Sequence, residues 1–248
     1  MESGDPNWFG TTHWTTVLTA QDGSSEQAQY ALETLCRDYW YPLYAYVRRR
    51  GYAAHDAQDL TQEFFAQFLS RDYLQTVHPS KGRFRSFLLA CLNHFLAKQW
   101  RKSQAQKRGG GTQRISVDEL TGEGRYRLEL SDEETPETLY YRRWALDLLE
   151  KVMRRLECES AEKGNAGVFQ HLRGVLSTDE TTIGYAALAA DLGMTEGAVK
   201  KAAERLRKRY QHLLRVEIAS TVADADQIDD EIACLIAALR RQVPTASS

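Results

Sequence analysis

The sequence predicts an all-α protein: two helical domains joined by an acidic flexible linker, the second containing a helix-turn-helix. Three observations carry that expectation. Apolar residues recur at helical spacing through most of the chain. Strand-like alternation is brief and confined to Arg114–Val117 and Tyr126–Leu130. Gly109-Gly110-Gly111 and the acidic run to Pro136 interrupt the helical pattern, which places domains at 12–108 and 137–215, a linker at 109–136 and a helical extension at 216–248.

In the first domain, Ala28–Arg50 carries a helical stripe of Leu32, Leu35, Cys36, Tyr39, Leu43, Tyr46 and Val47. Pro42 is expected to kink or restart that helix, and Gly51 to end it. His55 or Asp56 opens the next helix, with Leu60, Phe64, Phe65, Phe68 and Leu69 on one side. Asp59, Gln62 and Glu63, at i, i+3 and i+4, then form one polar patch on the other. His78-Pro79-Ser80-Lys81-Gly82 breaks the chain before a third helix, Phe84 to about Lys102, whose inner face is Phe84, Phe87, Leu88, Cys91, Leu92, Phe95 and Leu96.

The second domain opens with an amphipathic helix from about Glu137 to Cys158, then a short one at Gly167–Leu176. Leu188 and Leu192 belong to the next helix, Gly193 sits where a tight turn needs positive φ, and Thr195 is a good N-cap. Val199, Ala203, Leu206 and Tyr210 fall on the buried face of the following helix, leaving Glu196, Lys200, Lys201, Glu204, Arg205 and Lys208 outward. Two helices about a glycine turn can place the second in a DNA major groove, or can be a plain helical hairpin. Ile228, Ile232, Leu235, Ile236 and Leu239 mark a last amphipathic helix, acidic at its start and basic at Arg240-Arg241, as the helix dipole favours.

The 248 residues include 42% hydrophobic and 27% charged, an ordinary globular balance long enough for sizeable cores. Apolar runs are too short for a membrane span, and the acidic start, Met1-Glu2-Ser3-Gly4-Asp5, lacks the apolar stretch of a secretory signal. Cys36, Cys91, Cys158 and Cys234 are scattered, without zinc spacing, and read as buried thiols of a reducing cytoplasm. The net charge of −2 hides a strong segregation. Tyr73 to Val117 holds no acid but nine cations, Lys81, Arg83, Arg85, Lys98, Arg101, Lys102, Lys107, Arg108 and Arg114. Asp118 to Glu137 reverses the sign. Lys200 to Arg215 is basic again, with Lys200, Lys201, Arg205, Arg207, Lys208, Arg209 and Arg215 against Glu204. Two such blocks suit a polyanion, DNA or RNA; the bland alternative is two solvated helix faces.

Catalytic patterns are missing. There is no P-loop, GxGxxG, GxSxG or HExxH, and His13, His55, His78, His94, His171 and His212 make no ligand pair. No enzyme, cofactor or metal site is expected.

The constellation resembles a bacterial RNA polymerase sigma factor, and more narrowly the small two-domain, extracytoplasmic-function group. The residues that carry the resemblance are Tyr41-Pro42-Leu43-Tyr44-Ala45-Tyr46-Val47 and Asp56-Ala57-Gln58-Asp59-Leu60-Thr61-Gln62-Glu63-Phe64-Phe65. Gly82-Arg83-Phe84-Arg85-Ser86-Phe87-Leu88 with Asn93, Tyr185-Ala186-Ala187-Leu188-Ala189 and Thr195-Glu196-Gly197-Ala198-Val199-Lys200 continue it. The resemblance implies that Asp59, Gln62 and Glu63 dock on the clamp of the polymerase's largest subunit. It implies that Arg83, Phe84, Arg85, Asn93, Lys98, Trp100, Arg101 and Lys102 melt and read the minus-ten promoter element. It assigns Thr195, Glu196, Ala198, Lys200, Lys201 and Arg205 to the minus-thirty-five element. Core RNA polymerase, including the flap of its second-largest subunit, promoter DNA and an anti-sigma factor or other regulator are the implied partners, in a cytoplasmic, nucleoid-associated setting. A stand-alone helix-turn-helix regulator is the rival reading; it leaves the Asp59–Phe65 element without a task. An enzyme acting on nucleic acid would need a carboxylate cluster that the sequence does not assemble.

Overall fold

Helix α1, Glu26–Arg49, runs through Pro42 and is the longest element of the N-terminal part. Its apolar stripe is so regular that Tyr41 to Val47 are all buried, and Gly51, at φ +93°, ends it with its N–H on the Arg48 carbonyl at 3.0 Å. The computed structural model describes residues 13, 14, 17, 26–70, 82–106, 119–128, 134–177 and 183–240. Among the described residues every regular element is helical, α or 3₁₀, so the all-α expectation holds and the strand-like alternation at Tyr126 lies in a helix. Arg114–Val117, Gly109–Gly111 and the His78–Lys81 break lie outside the described residues.

Helix α2, Ala54–Phe68, begins one or two residues before the expected His55 or Asp56, with no side-chain cap on its first turn. Helix α3, Phe84–Gln106, buries all seven of its expected core residues, Phe84 through Leu96. Helix α4, Glu119–Leu128, is the first surprise, because it lies in the expected linker. It is fixed by charge as well as by the buried Tyr126 ring, which packs edge-on against Tyr44. Arg48 donates from Nε and Nη2 to the two Glu123 oxygens at 2.9 Å each, and Tyr44 donates to Oε2 at 2.7 Å. The Arg125 guanidinium lies 4.2 Å from the Tyr41 ring centre, and a Cβ at Gly122 would stand 3.1 Å from the Trp40 indole. A count of apolar residues cannot detect such a contact. At least part of the acidic segment is therefore a docked helix.

Helix α5, Pro136–Glu162, is followed by α6, Ala166–Leu172, a 3₁₀ turn at Arg173–Leu176, α7, Tyr185–Leu192, and α8, Glu196–Ala219. Helix α9, Ile228–Arg240, closes the described chain. These elements gather into two compact units: Met1–Leu146 together with Ala219–Ser248, and Asp147–Ile218. The domain boundary expected near 137 thus falls inside α5. The expected C-terminal extension from 216 belongs to the N-terminal unit from Ala219 onward.

Backbone bonds and ring packing explain that return. Ser220 and Thr221 accept from the N–H groups of His13 and Phe84 at 2.7 and 3.2 Å. Phe84 sits among His13, Trp14, Tyr39 and Phe87, with ring centres 5.2 to 6.3 Å away. In the second unit, Leu172, Val175, Tyr185, Ala189, Val199 and Ala203 form the core, with Leu188, Leu192 and Leu206 packed on it. Of the face expected on α8, Val199 and Ala203 are buried, Leu206 packs against them, and Tyr210 is half-buried outside this core.

The cysteines differ from their reading as buried thiols. Only Cys91 is fully buried, while Cys36 and Cys234 are half-buried and Cys158 is exposed; none of the four is in a disulfide. Burial, with Glu33 adding to it, pushes the Cys36 thiol up to about 12.

Candidate functional site

In the second unit α7 and α8 meet about a glycine turn. Gly193 is left-handed at φ +61°, and the Met194 N–H returns to the Ala189 carbonyl at 3.0 Å, closing α7. Thr195 caps α8, its Oγ1 accepting from the Ala198 N–H at 3.3 Å. Of the residues assigned to this surface, Thr195, Glu196, Lys200, Lys201 and Arg205 are exposed and Ala198 is half-buried.

The basic block divides by function. Arg209 forks onto Glu159 at 2.7 and 2.8 Å, and the carboxyl of Glu159 is held below its usual value chiefly by that bond. Arg207 reaches the Tyr185 hydroxyl and the Val175 carbonyl at 3.3 and 3.4 Å. These two arginines fasten the unit together. Lys200 pairs with Glu196 and Lys208 with Glu204, each at 2.7 Å along one exposed helix face. Lys201 and Arg205 stand outside these pairs. From Lys200 to Arg209 a run of like charge in sequence thus resolves into two fasteners, two self-paired lysines and two further exposed cations.

In the N-terminal unit the polar patch of α2 is rotated from its expected setting. The buried residues of α2 are Ala57, Gln58, Thr61, Phe64, Phe65 and Phe68, with Thr61 Oγ1 donating to the Ala57 carbonyl at 2.7 Å. Leu60 and Leu69 are only half-buried. Asp59 is correspondingly covered, its side chain 9% exposed and 3.0 Å from His55 Nδ1. Gln62 is half-buried, and Glu63 is exposed, accepting from Gln99 Nε2 at 2.5 Å. Two buried polar residues, Gln58 and Thr61, belong to the inner face, and the expected apolar stripe did not include them.

Helix α3 carries the residues assigned to the minus-ten element, and they separate into three kinds. Lys98, Arg101 and Lys102 are exposed, and Trp100 is 60% exposed, an unusual state for an indole. Trp100 shares a hollow of about 250 Å³ with Tyr52, Asp56, Asp59 and Glu63. Asn93 is half-buried, and its Oδ1 accepts from the Tyr46 hydroxyl at 2.8 Å and from Arg50 Nη1 at 2.9 Å.

The remaining assignments need correction. Phe84 is wholly buried among the rings named above, so it cannot stack on a base. Arg85 is 5% exposed, and its Nε and Nη2 donate to the two oxygens of Glu231 at 2.6 and 2.8 Å. Its guanidinium lies 4.5 Å from the Trp144 ring centre and 4.7 Å from that of Tyr141. Arg83 adds an Nε contact to the same carboxylate at 3.0 Å and an Nη1 contact to Cys234 Sγ at 2.9 Å. Glu231 is wholly buried. In this arrangement α9, not nucleic acid, occupies both arginines. The sequence signal was available: Glu231 is the one acid on the α9 stripe between Ile228 and Leu235.

No protein-family model matches this chain, and no curated protein or solved structure matches it either.

Proposed function

We propose that the chain is a transcription initiation factor of the sigma type, which binds core RNA polymerase and directs it to promoters. The observation that supports this best is an ordered pair of surfaces. A polar α2 patch lies next to the exposed, cationic end of α3, and farther along the chain a capped, glycine-turned α8 offers Lys201 and Arg205 outward. A stand-alone helix-turn-helix regulator needs only the second.

In this reading Glu63 and Gln62 meet the polymerase, and Lys98, Trp100, Arg101 and Lys102 hold the melted strand. Cations follow phosphates, and an exposed indole stacks an unpaired base for about 1–3 kcal/mol. Lys201 and Arg205 read duplex DNA from the major groove. Two compact units would then divide strand capture from duplex reading. The 330 Å³ groove of the second unit, floored by Phe169, Met194 and Leu206, suits an apolar polymerase segment such as the flap.

The deciding experiment is transcription in vitro with purified core polymerase and genomic DNA, with start sites mapped. Discrete factor-dependent starts are expected; a protein that binds duplex DNA yet neither co-purifies with core enzyme nor directs starts is a regulator of the other kind. Gln62→Ala with Glu63→Arg should weaken core-enzyme binding by about tenfold or more with circular dichroism unchanged, since a reversed charge opposes a charged docking partner. Asp59 is too well covered for that purpose. On α8, Lys201→Ala or Arg205→Ala should cost about 1–3 kcal/mol at one or two base positions if the contact is bidentate to a base. A phosphate contact would weaken all sequences alike. Binding measured across a promoter library, unaffected by either variant, would remove α8 from the reading.

A further inference from the structure

We propose that α9 is a built-in competitor for nucleic acid: Glu231 holds Arg83 and Arg85 in the place of a phosphate, and single-stranded DNA engages the N-terminal unit by displacing α9. The inference rests on the reading that the Arg83–Lys102 segment captures melted strand.

The residue type at 231 is the first argument. A helix that only had to pack would do as well with an apolar residue there, because a buried ion pair adds little net stability over a hydrophobic replacement. What a carboxylate offers and a leucine does not is two acceptor oxygens matching a guanidinium fork, the geometry an arginine uses on phosphate. Both oxygens are used in that way, by Arg85 at 2.6 and 2.8 Å and by Arg83 at 3.0 Å.

The location is the second. The basic segment from Tyr73 to Val117 contains no acid of its own, so its anion comes from 146 residues away. Asp224, Asp226, Asp229 and Asp230 surround Glu231 in sequence, all exposed. The helix that brings the anion thus also carries exposed acids at its start, of the same sign as a competing polyanion.

Packing is the third. Beside α9 lies an open hollow of about 350 Å³, lined by Arg83, Tyr141 and Trp144 and, from the helix, by Cys234, Ala237 and Ala238. On that side the helix is less tightly packed, and Ile236 is 40% exposed. The helix is held at Ile228, Glu231 and Leu235, all buried, and of these the charge contact is the one a competing anion can exchange.

The test follows Cys234, which sits on α9 against Arg83. In the full chain carrying Cys158→Ser, maleimide labelling of Cys234 is measured with and without a single-stranded oligothymidine. Labelling should accelerate by about tenfold or more as the oligonucleotide saturates, which reports a matching rise in the displaced population. Labelling that is unchanged or slowed overturns the proposal. Glu231→Gln keeps the shape and removes the charge; if folded, it should bind the oligonucleotide about tenfold more tightly. Its salt dependence should steepen by up to about two ions, one for each released arginine. A folded Glu231→Gln protein with unaltered or weaker affinity also overturns it, and if that variant does not fold, the labelling result decides. Core-polymerase co-purification, run in parallel, separates the two readings. Labelling that responds without polymerase binding leaves displacement standing and removes the sigma assignment; polymerase binding with silent labelling does the reverse.

Discussion

Phe84→Ala should lower the stability of the N-terminal unit by about 3–5 kcal/mol, the cost of emptying a fully buried aromatic site. Phe84 is wholly buried and packs by ring edges against His13, Trp14, Tyr39 and Phe87. Its N–H also donates to the Thr221 carbonyl at 3.2 Å, so it stands where the returning chain joins α3. Neighbours that large collapse poorly into a void, which places the cost toward the upper end. Phe84→Leu refills most of the volume and should recover most of the stability. The pair of variants also separates packing from nucleic-acid contact. If Phe84 only packs, Phe84→Leu should open promoters as the wild type does, as read by permanganate footprinting. A folded Phe84→Leu protein that fails to melt DNA would return Phe84 to the minus-ten surface, against its burial here.

Much of this fold was legible in the sequence, and the parts that were not share a cause. The inner face of α3, the Gly51 and Gly193 ends and the Thr195 cap follow from local periodicity and turn chemistry, which act within a few residues. The buried face of α2 was misjudged because Gln58 and Thr61 are polar yet inward, Thr61 satisfying itself on the Ala57 carbonyl one turn back. Helix α4 was taken for a flexible segment because Glu123 is held by Arg48 and Tyr44, 75 and 79 residues away. The same holds for Arg85. A segment without acids of its own looks like a site for an external anion; Glu231 on the α9 stripe hints at a buried acid, and the fold pairs it with Arg85. On α8 the composition was right, but it could not separate Arg207 and Arg209, which fasten, from Lys201 and Arg205, which face out. Long-range ion pairs leave no period in a sequence.

The Arg85–Glu231 pair should therefore show a strongly non-additive mutant cycle. Glu231→Leu leaves the Arg85 guanidinium buried without its carboxylate, and removing one partner of a buried pair costs about 3–5 kcal/mol. The rings of Tyr141 and Trp144, 4.7 and 4.5 Å from that guanidinium, soften the loss without replacing two charge-assisted hydrogen bonds. Arg85→Met strands Glu231 less completely, because Arg83 still reaches it at 3.0 Å. The arginine variant should accordingly be the milder single change. The double variant, Arg85→Met with Glu231→Leu, buries no unpaired charge at these two sites and puts two flexible apolar side chains between Trp144 and α9. Arg83 is partly exposed and can turn its head to water. The double variant should thus lie close to wild-type stability, giving a coupling energy of about 2 kcal/mol or more, above what exposed pairs deliver. Urea unfolding of the four proteins, with equal slopes as the check on two-state behaviour, measures it. Additive losses would mean that α9 is held by its apolar stripe and that the charges are incidental. Near-neutrality of the double variant would show that a hydrophobic contact could hold this helix as well, leaving recognition of an anion as the reason for a carboxylate at 231.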